Sequence, residues 1–181
     1  MIQAIFLDRD GVINRPPQNR YITHWKQFQF LPGALRAIRR LTQEGKSVVV
    51  VSNQAGVGRG LYSLGELRRI NRNMLRRIHE TGGRVRAVYY CTHRPQDLCA
   101  CRKPKPGMLQ RASRSYRIDL RRSFIVGDNE TDLLLGQSVG CRTVLVLTGI
   151  TRPAAARLMK TKPDHTAKNL VKAVDWILKQ P

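Results

Sequence analysis

The sequence is poor in acidic residues, in aromatic residues and in long apolar runs. Among its 181 residues there are 12 Asp and Glu against 33 Lys and Arg, a net charge of +21, and only 6% are aromatic. It has no run of the roughly 18 apolar residues that span a bilayer. It also offers no aromatic stacking platform for single-stranded nucleic acid. The hydrophobic fraction of 41% still suffices for a core, and we predict one domain over residues 1–181.

Cysteines are also few, and their positions argue against a disulfide framework. Three of the four lie close together at positions 91, 99 and 101, which is more typical of a metal loop in a reducing compartment. Cys141 stands apart, as a small buried residue would. The apolar residues 1–7 are too few for the hydrophobic region of a signal peptide. We therefore expect a cytoplasmic protein, monomeric and without a membrane partner.

The excess of positive charge suits an anionic partner such as nucleic acid or a phosphorylated metabolite. A simpler explanation is a solvated surface. In residues 64–78 the apolar positions recur at helical spacing, and most of the arginines fall between them. We favour this explanation and keep nucleic acid as a second one.

Five apolar, β-branched runs alternate with helical patterns. The predicted strands cover residues 3–7, 48–51, 85–91, 123–126 and 143–147, and the predicted helices cover 33–43, 63–80, 106–115, 130–139 and 167–178. Ser63 and Glu66 have the spacing of a capping box. The alternation predicts an α/β fold with a doubly wound parallel sheet. Between Gly11 and the second strand there is room for one loop and one helix only, so we expect no separate cap domain.

Polar residues follow three of the predicted strands. Asp8 and Asp10 follow the first, Ser52 and Asn53 the second, and Asp128 the fourth. In open parallel sheets the functional crevice lies beyond the carboxyl ends of the strands. There, one carboxylate can attack a phosphoryl group while its neighbour handles the proton of the leaving oxygen, and Mg²⁺ fits between Asp8 and Asp128. Taken alone, the Asp-x-Asp pair also fits a turn.

Four motifs, in this order, resemble those of the haloacid dehalogenase (HAD) superfamily of phosphotransferases. They are Phe6-Leu7-Asp8-Arg9-Asp10-Gly11-Val12-Ile13-Asn14, Ser52-Asn53-Gln54, Cys101-Arg102-Lys103-Pro104, and Gly127-Asp128 followed by Asp132. The resemblance implies a HAD-like, Rossmannoid fold in which Asp8 forms an aspartyl-phosphate and Asp10 is the general acid and base. It also implies that Ser52 and Lys103 bind the transferring phosphoryl group. Mg²⁺ would be held by Asp8, Asp128 and the backbone carbonyl of Asp10.

A short loop carries three thiols and one imidazole, on Cys91, His93, Cys99 and Cys101. This is the composition of a closed structural Zn²⁺ site, in which four protein ligands leave no position for a catalytic water. The alternative is a chance cluster of free thiols. Because Cys101 directly precedes Arg102 and Lys103, a bound metal would fix the backbone that presents both cations.

The zinc loop joined to Cys-Arg-Lys-Pro is similar to two groups of the superfamily, the heptose bisphosphate phosphatases and the histidinol-phosphate phosphatases. Residues 53–60 and the sequence Lys-Pro-x-Pro-Gly-Met from position 103 resemble the heptose group. That resemblance implies hydrolysis of the 7-phosphate of a heptose 1,7-bisphosphate, whose second phosphate suits Arg59 beside Arg102. Asn129 stands where this group commonly has Lys. The substrate-binding candidates are Tyr21, Asn53, Gln54, Arg59, Arg102 and Asn129, with Gln18, Asn19 and Arg20 in the same loop as Tyr21.

Three alternatives remain at this point. A histidinol-phosphate phosphatase shares the zinc loop, and a nucleic-acid 3′-phosphatase uses the same Asp-x-Asp chemistry and suits the +21 charge. A non-catalytic polyanion-binding protein would have kept only the fold. Binding alone does not require both Asp8 and Asp10, so the complete set of catalytic residue types favours an enzyme.

Overall fold

The sheet is built entirely from parallel strands. A computed structural model of the chain describes residues 1–16 and 21–181, so the loop candidates Gln18, Asn19 and Arg20 lie outside the described residues. The strands run in the order β3-β2-β1-β4-β5-β6, and every neighbouring pair is parallel. The six strands are β1 (Ala4–Leu7), β2 (Ser47–Asn53), β3 (Ala87–Cys91), β4 (Phe124–Gly127), β5 (Arg142–Val146) and β6 (His165–Ala167). The predicted doubly wound α/β fold is confirmed.

Helices cover both faces of this sheet. They are α1 (Ala34–Gln43), α2 (Leu64–Glu80), α3 (Gly107–Tyr116), α4 (Glu130–Ser138), α5 (Pro153–Leu158) and α6 (Leu170–Ile177). Helices α1, α2 and α6 share one hydrophobic core, and α3 and α4 share the other. Along β1, Leu7 enters the first core and Phe6 the second. Because both faces of each inner strand are buried, the strands read as continuous apolar runs.

Helix α2 forms as its sequence predicts. The Ser63 side chain accepts a hydrogen bond from the backbone N–H of Glu66 at 3.0 Å, which caps the first turn. The buried side chains are Leu67, Ile70, Met74 and Ile78. Their spacing of three and four residues turns one face of the helix to the core and leaves the arginines on the other.

The carboxyl-terminal part of the chain differs from the prediction. The helix predicted over 167–178 begins only at Leu170, where Asn169 accepts a hydrogen bond from Lys172 N–H at 3.1 Å. The preceding residues form β6, which pairs with β5 and was not predicted. Helix α5 was also not predicted. A strand of three residues is too short to show a period of its own, and its pairing partner is the only reason that it forms.

The segments between the first three strands are short. Between β1 and β2 the described residues contain one 3-10 turn, Trp25–Gln27, and α1, while α2 is the one helix between β2 and β3. The described part of the chain therefore has no separate cap domain over the carboxyl ends of the strands. Nor does any helix in it have the length and apolarity to cross a membrane.

Candidate active site

The carboxyl ends of three adjacent strands bring the predicted residues together. Asp8 follows β1, Ser52 and Asn53 end β2, and Asp128 follows β4, and these three strands are neighbours in the sheet. Strands β1 and β4 pair directly and place Leu7 opposite Val126. Asp8 and Asp128, which follow these two strands, therefore come close together. The strand-end placement inferred from the sequence is therefore what the fold produces.

A buried ammonium group lies at the centre of the site. Lys103 Nζ is 2.9 Å from Asp8 Oδ2 and 2.7 Å from Asp132 Oδ1, and the residue is only 4% exposed. Burial alone would lower the pKa of Lys103, but the charges of Asp132 and Asp8 raise it above its usual value. Lys103 therefore stays charged inside the protein, where its interactions with anions are weakly screened.

The carboxylates outnumber the cation that they face. Oxygen atoms of Asp8, Asp128 and Asp132 lie within 4.8 Å of one another. Burial raises the pKa of Asp8 to about 7, with Asp132 and Asp128 adding to the rise and Lys103 opposing it. Burial and the charge of Asp132 likewise raise the pKa of Asp128 to about 6. Among the residues that the structure describes, the buried Oδ2 of Asp132 has no hydrogen-bond partner. A hard cation with oxygen ligands would relieve this excess of buried negative charge, so the residues fit a divalent ion.

Asp10 is held by three donors. Arg9 Nη2 lies 2.9 Å from Asp10 Oδ2, Asn14 Nδ2 lies 2.8 Å from Oδ1, and Gln54 Nε2 lies 2.8 Å from Oδ2. These three side chains fix the orientation of the Asp10 carboxyl group.

Gln54 connects several of these groups from a fully buried position. Its Nε2 donates to Asp10 and, at 2.9 Å, to Ser52 Oγ. Its Oε1 accepts from Tyr62 OH at 2.7 Å and from Arg9 Nη2 at 3.1 Å. All donors and acceptors of this carboxamide are therefore engaged within the protein. Gln54, which the sequence suggests as a substrate contact, here orients the Asp10 carboxyl group.

Asn53 fixes the backbone that carries Lys103. Its Oδ1 accepts from Lys103 N–H at 3.1 Å, and its Nδ2 donates to the Lys103 carbonyl at 3.2 Å. The end of β2 is thus tied in both directions to the segment that follows the cysteine loop. Lys103 is held in register with Ser52 by this reciprocal pair.

Two glycines make room for Asp128. A Cβ atom on Gly149 would lie 1.8 Å from Asp128 Oδ2, and one on Gly11 would lie 2.3 Å from the same oxygen. Gly11 also has φ +82°, in the left-handed region that favours glycine. The backbone N–H of Ile150 donates to Asp128 Oδ2 at 2.6 Å. The loop after β5 therefore positions this carboxylate.

The remaining substrate-binding candidates differ in their exposure and in their contacts. Arg102 is half-buried, and its Nη1 is a buried donor without a partner among the described residues. Arg59 is exposed, and Tyr21 is half-buried with its ring centroid 6.5 Å from that of Tyr62. Asn129 caps α4 through its side chain. Their contacts with a substrate stay predictions.

Several residues of the site had no role in the sequence-based assignment. Arg9, Asn14 and Asp132 lie inside the quoted motifs, but spacing alone does not say which partner each will bind. Tyr62 lies outside every motif. Burial raises the pKa of Tyr62 to about 12, so its hydroxyl stays protonated and donates to Gln54. No local pattern in the sequence signals this contact.

The cysteine loop forms a compact cluster of metal-ligand atoms. His93 Nδ1 lies 3.5 Å from Cys91 Sγ and 3.3 Å from Cys101 Sγ, and Cys99 Sγ lies 3.5 Å from both sulfur atoms. Ligands of a tetrahedral zinc ion are separated by about 3.5–3.8 Å, given Zn–S and Zn–N bonds of about 2.3 and 2.1 Å. The donor set and its spacing therefore fit a bound metal.

Comparison with known proteins agrees with this geometry. A family described as HAD-hydrolase-like matches residues 100–173. The D-glycero-beta-D-manno-heptose-1,7-bisphosphate 7-phosphatase of Bordetella bronchiseptica is 37% identical and covers 99% of both chains. The protein of that name from Pseudomonas aeruginosa is 42% identical over 80% of this chain and 81% of its own.

A solved structure gives the same result. The D,D-heptose 1,7-bisphosphate phosphatase from B. bronchiseptica, complexed with magnesium and phosphate, matches with a TM-score of 0.88 and 35% identity, over 99% of this chain and 100% of the other. The fold and the site define a HAD-type phosphoric monoester hydrolase. Within that class, the chain belongs to the D-glycero-beta-D-manno-heptose-1,7-bisphosphate 7-phosphatase family.

Gly149→Ala tests how Asp128 is positioned. Because the new Cβ would lie 1.8 Å from Asp128 Oδ2, the carboxylate must move, and a displacement of about 1 Å lowers catalysis about 100-fold. We expect that loss in phosphate release, together with weaker Mg²⁺ binding by calorimetry. Gly65→Ala is the control, since its Cβ meets only Ser63 Oγ at 3.5 Å. Equal rates for both variants would contradict the assignment.

Proposed function

We propose that this chain removes the 7-phosphate of D-glycero-β-D-manno-heptose 1,7-bisphosphate through an aspartyl-phosphate on Asp8. The observation that carries the proposal is the position of Lys103, whose ammonium lies against the Asp8 carboxylate beside Ser52. A nucleophile, a buried cation and a hydroxyl donor then surround one phosphoryl group. The relatives at 33–42% identity carry the name of this reaction.

In the first half of the reaction, an Asp8 carboxylate oxygen forms a bond to phosphorus while the bond from phosphorus to the sugar oxygen breaks. Asp10 gives its proton to that leaving oxygen. In the second half, Asp10 takes a proton from water, and the hydroxide attacks phosphorus to release phosphate and restore Asp8. The contacts from Arg9, Asn14 and Gln54 hold the Asp10 carboxyl group in place for both proton transfers.

Lys103 and Ser52 are assigned to the equatorial phosphoryl oxygens, where charge-assisted hydrogen bonds are strongest. Asp8, Asp128 and the backbone carbonyl of Asp10 would hold Mg²⁺, which would supply further positive charge near these oxygens. Asp132 holds the Lys103 ammonium in place, with Oδ1 2.7 Å from Nζ. In this assignment the positive charge is set in advance and needs no rearrangement during the reaction.

The second phosphate of the substrate is assigned to Arg102 and Arg59. Arg102 supports this because its Nη1 is a buried donor with no partner among the described residues. A guanidinium group binds phosphate through two parallel hydrogen bonds. Tyr21, Asn53 and Asn129 are assigned to the sugar, with Asn129 replacing the Lys common in related enzymes. Residues 1–181 are proposed to act as one domain, monomeric and cytoplasmic.

A comparison of substrates tests the assignment. We expect kcat/KM for heptose 1,7-bisphosphate to exceed that for histidinol phosphate at least about 100-fold, because the unpaired Arg102 donor would remain buried with the smaller, cationic substrate. One equivalent of phosphate should be released, which leaves heptose 1-phosphate by mass spectrometry. Similar or inverted efficiencies would contradict the substrate. Turnover of 3′-phosphorylated oligonucleotides would point to the nucleic-acid alternative.

Asp8→Asn tests the covalent mechanism. The amide is a poor nucleophile, so we expect kcat to fall more than about 1,000-fold and phosphate labelling of the protein to disappear. Asp175→Asn is the matched control, because it removes a carboxylate from α6, on the outside of the first core. Turnover retained by Asp8→Asn would rule out an aspartyl-phosphate at this position.

We also propose that Cys91, His93, Cys99 and Cys101 bind Zn²⁺, which fixes the backbone before Lys103. In Cys99→Ala we expect zinc content to fall from about one per chain to near zero. Tm should fall by about 5–10 °C, which corresponds to roughly 2–4 kcal/mol. Cys141→Ala removes an isolated thiol and should keep the zinc. Wild-type protein that contains no zinc when purified, or equal zinc in both variants, would contradict the site.

A further inference from the structure

The edge of the sheet opposite the active site is strongly cationic. In a parallel sheet the amino ends of all strands lie at one edge, with the carboxyl ends at the other. Basic residues stand at or just before the amino ends of four strands: Lys46 before β2, Arg84 and Arg86 before β3, Arg121 and Arg122 before β4, and Arg142 at the start of β5. Eight of the twelve carboxylates of the chain lie outside the active site, and Glu44, Asp119 and Asp164 are those that come shortly before a strand at this edge.

A cleft of about 720 Å³ opens at this edge between α1 and β3. Among its lining residues are the cations Lys46, Arg84 and Arg86, the hydroxyls of Thr42 and Ser47, and the Tyr116 ring. No carboxylate lines it within the described chain. Arg39 extends the positive charge to the rim, where its side chain lies beside Gly82.

In the described part of the chain, none of the three cations is paired with a carboxylate. Lys46 Nζ donates to Gln3 Oε1 at 2.8 Å, and Arg86 Nε donates to Ser47 Oγ at 2.5 Å. The Arg84 side chain makes no hydrogen bond and no ion pair within residues 1–16 and 21–181. Since no carboxylate lies within 4 Å of these charges in that part of the chain, their positive potential reaches the solvent.

The hydroxyl groups of Thr42 and Ser47 already have partners within the protein. Thr42 Oγ1 donates to the Ile38 carbonyl at 3.0 Å and accepts from Arg84 N–H at 2.8 Å, while Ser47 Oγ accepts from Arg86. Few uncharged groups therefore remain free to bind a small ligand through directional hydrogen bonds. The cleft offers charge rather than specific hydrogen bonds, which suits a polymer of phosphates bound without regard to sequence.

We propose that this cleft binds the phosphate backbone of a nucleic acid strand. Arg84 and Arg86 are exposed and Lys46 is half-buried, so a flexible strand that follows the cleft can place successive phosphates against them, and binding to a membrane surface is the alternative outcome of the test. The basic residues at this edge are mostly arginines, which bind phosphate through two hydrogen bonds. The binding surface is separate from the phosphatase site. Strand β2 runs from Ser47 at the cleft to Asn53 at the active site, a distance of about 20 Å at ~3.3 Å per residue.

The test uses a fluorescein-labelled single-stranded 20-nucleotide DNA without a terminal phosphate, titrated by fluorescence anisotropy. The wild-type chain should bind with a Kd below about 100 µM in 50 mM salt, in the range of non-specific binding. The triple variant Lys46→Gln/Arg84→Gln/Arg86→Gln should bind at least about 10-fold more weakly, and its salt slope should be smaller by about 2. Its phosphatase kcat/KM should stay within about twofold of wild type, since the active site is remote.

The matched control removes the same charge from the other end of the molecule. Arg152→Gln/Arg157→Gln/Lys160→Gln changes three exposed residues in and beside α5 and should weaken binding less than about threefold. Equal loss in both triple variants would mean that net charge alone is responsible, and would overturn the proposal. Absence of wild-type binding would also overturn it, as would cleft-dependent binding of phosphatidylserine vesicles without DNA binding.

A single substitution covers the case in which the triple variant does not fold. The Arg84 side chain is exposed and has no partner in the described chain, so Arg84→Glu should fold normally and still weaken DNA binding at least about fivefold. Unchanged affinity in this variant would contradict the cleft. Failure of the heptose assay would leave these results unaffected, because the DNA probe carries no cleavable monoester.

Discussion

The buried Lys103 ammonium between Asp8 and Asp132 is the interaction on which the site depends. It joins three segments that are far apart in the chain: the end of β1, the turn after the cysteine loop, and the first turn of α4. Breaking such a buried pair by removing one partner commonly costs about 3–5 kcal/mol, because a charge is left uncompensated. Two hydrogen bonds from Asn53 hold the backbone of Lys103, and the proposed zinc site would hold the residues before it. The Lys103 ammonium therefore has little freedom to move if Asp8 or Asp132 is displaced.

The polar residues divide into those that meet the phosphoryl group and those that orient them. Asp8, Asp10, Ser52 and Lys103 are assigned to the reaction, while Gln54 holds two of them by hydrogen bonds at 2.8 and 2.9 Å. Tyr62 and Arg9 in turn saturate Gln54 from behind. Networks of this kind are costly when one member is missing and rigid when all are satisfied. Catalysis that relies on fixed dipoles and charges needs that rigidity.

The two edges of the sheet carry different groups, and one topology produces both. Asp8, Asp10 and Asp128 stand with Lys103 where the strands end, and Lys46, Arg84 and Arg86 line a cleft where the strands begin. The cleft of Lys46, Arg84 and Arg86 can therefore vary without touching the phosphatase chemistry. Our first explanation of the +21 charge, a solvated helical surface, fits the arginines of α2 well. It does not explain the cations that line the cleft.

By itself, the sequence determined the alternation of strands and helices, the placement of Asp8, Asp10 and Asp128 at strand ends, and the spacing of the Cys91–Cys101 ligands. These are local features, set by periodicity and by the common direction of parallel strands. Only the tertiary structure decided that Gln54 binds Asp10, 44 residues away, that Asp132 binds Lys103, 29 residues away, and that residues 165–167 form a strand. The physical reason is that a hydrogen bond or a short strand takes its partner from packing between distant segments, and no spacing within one segment specifies that partner.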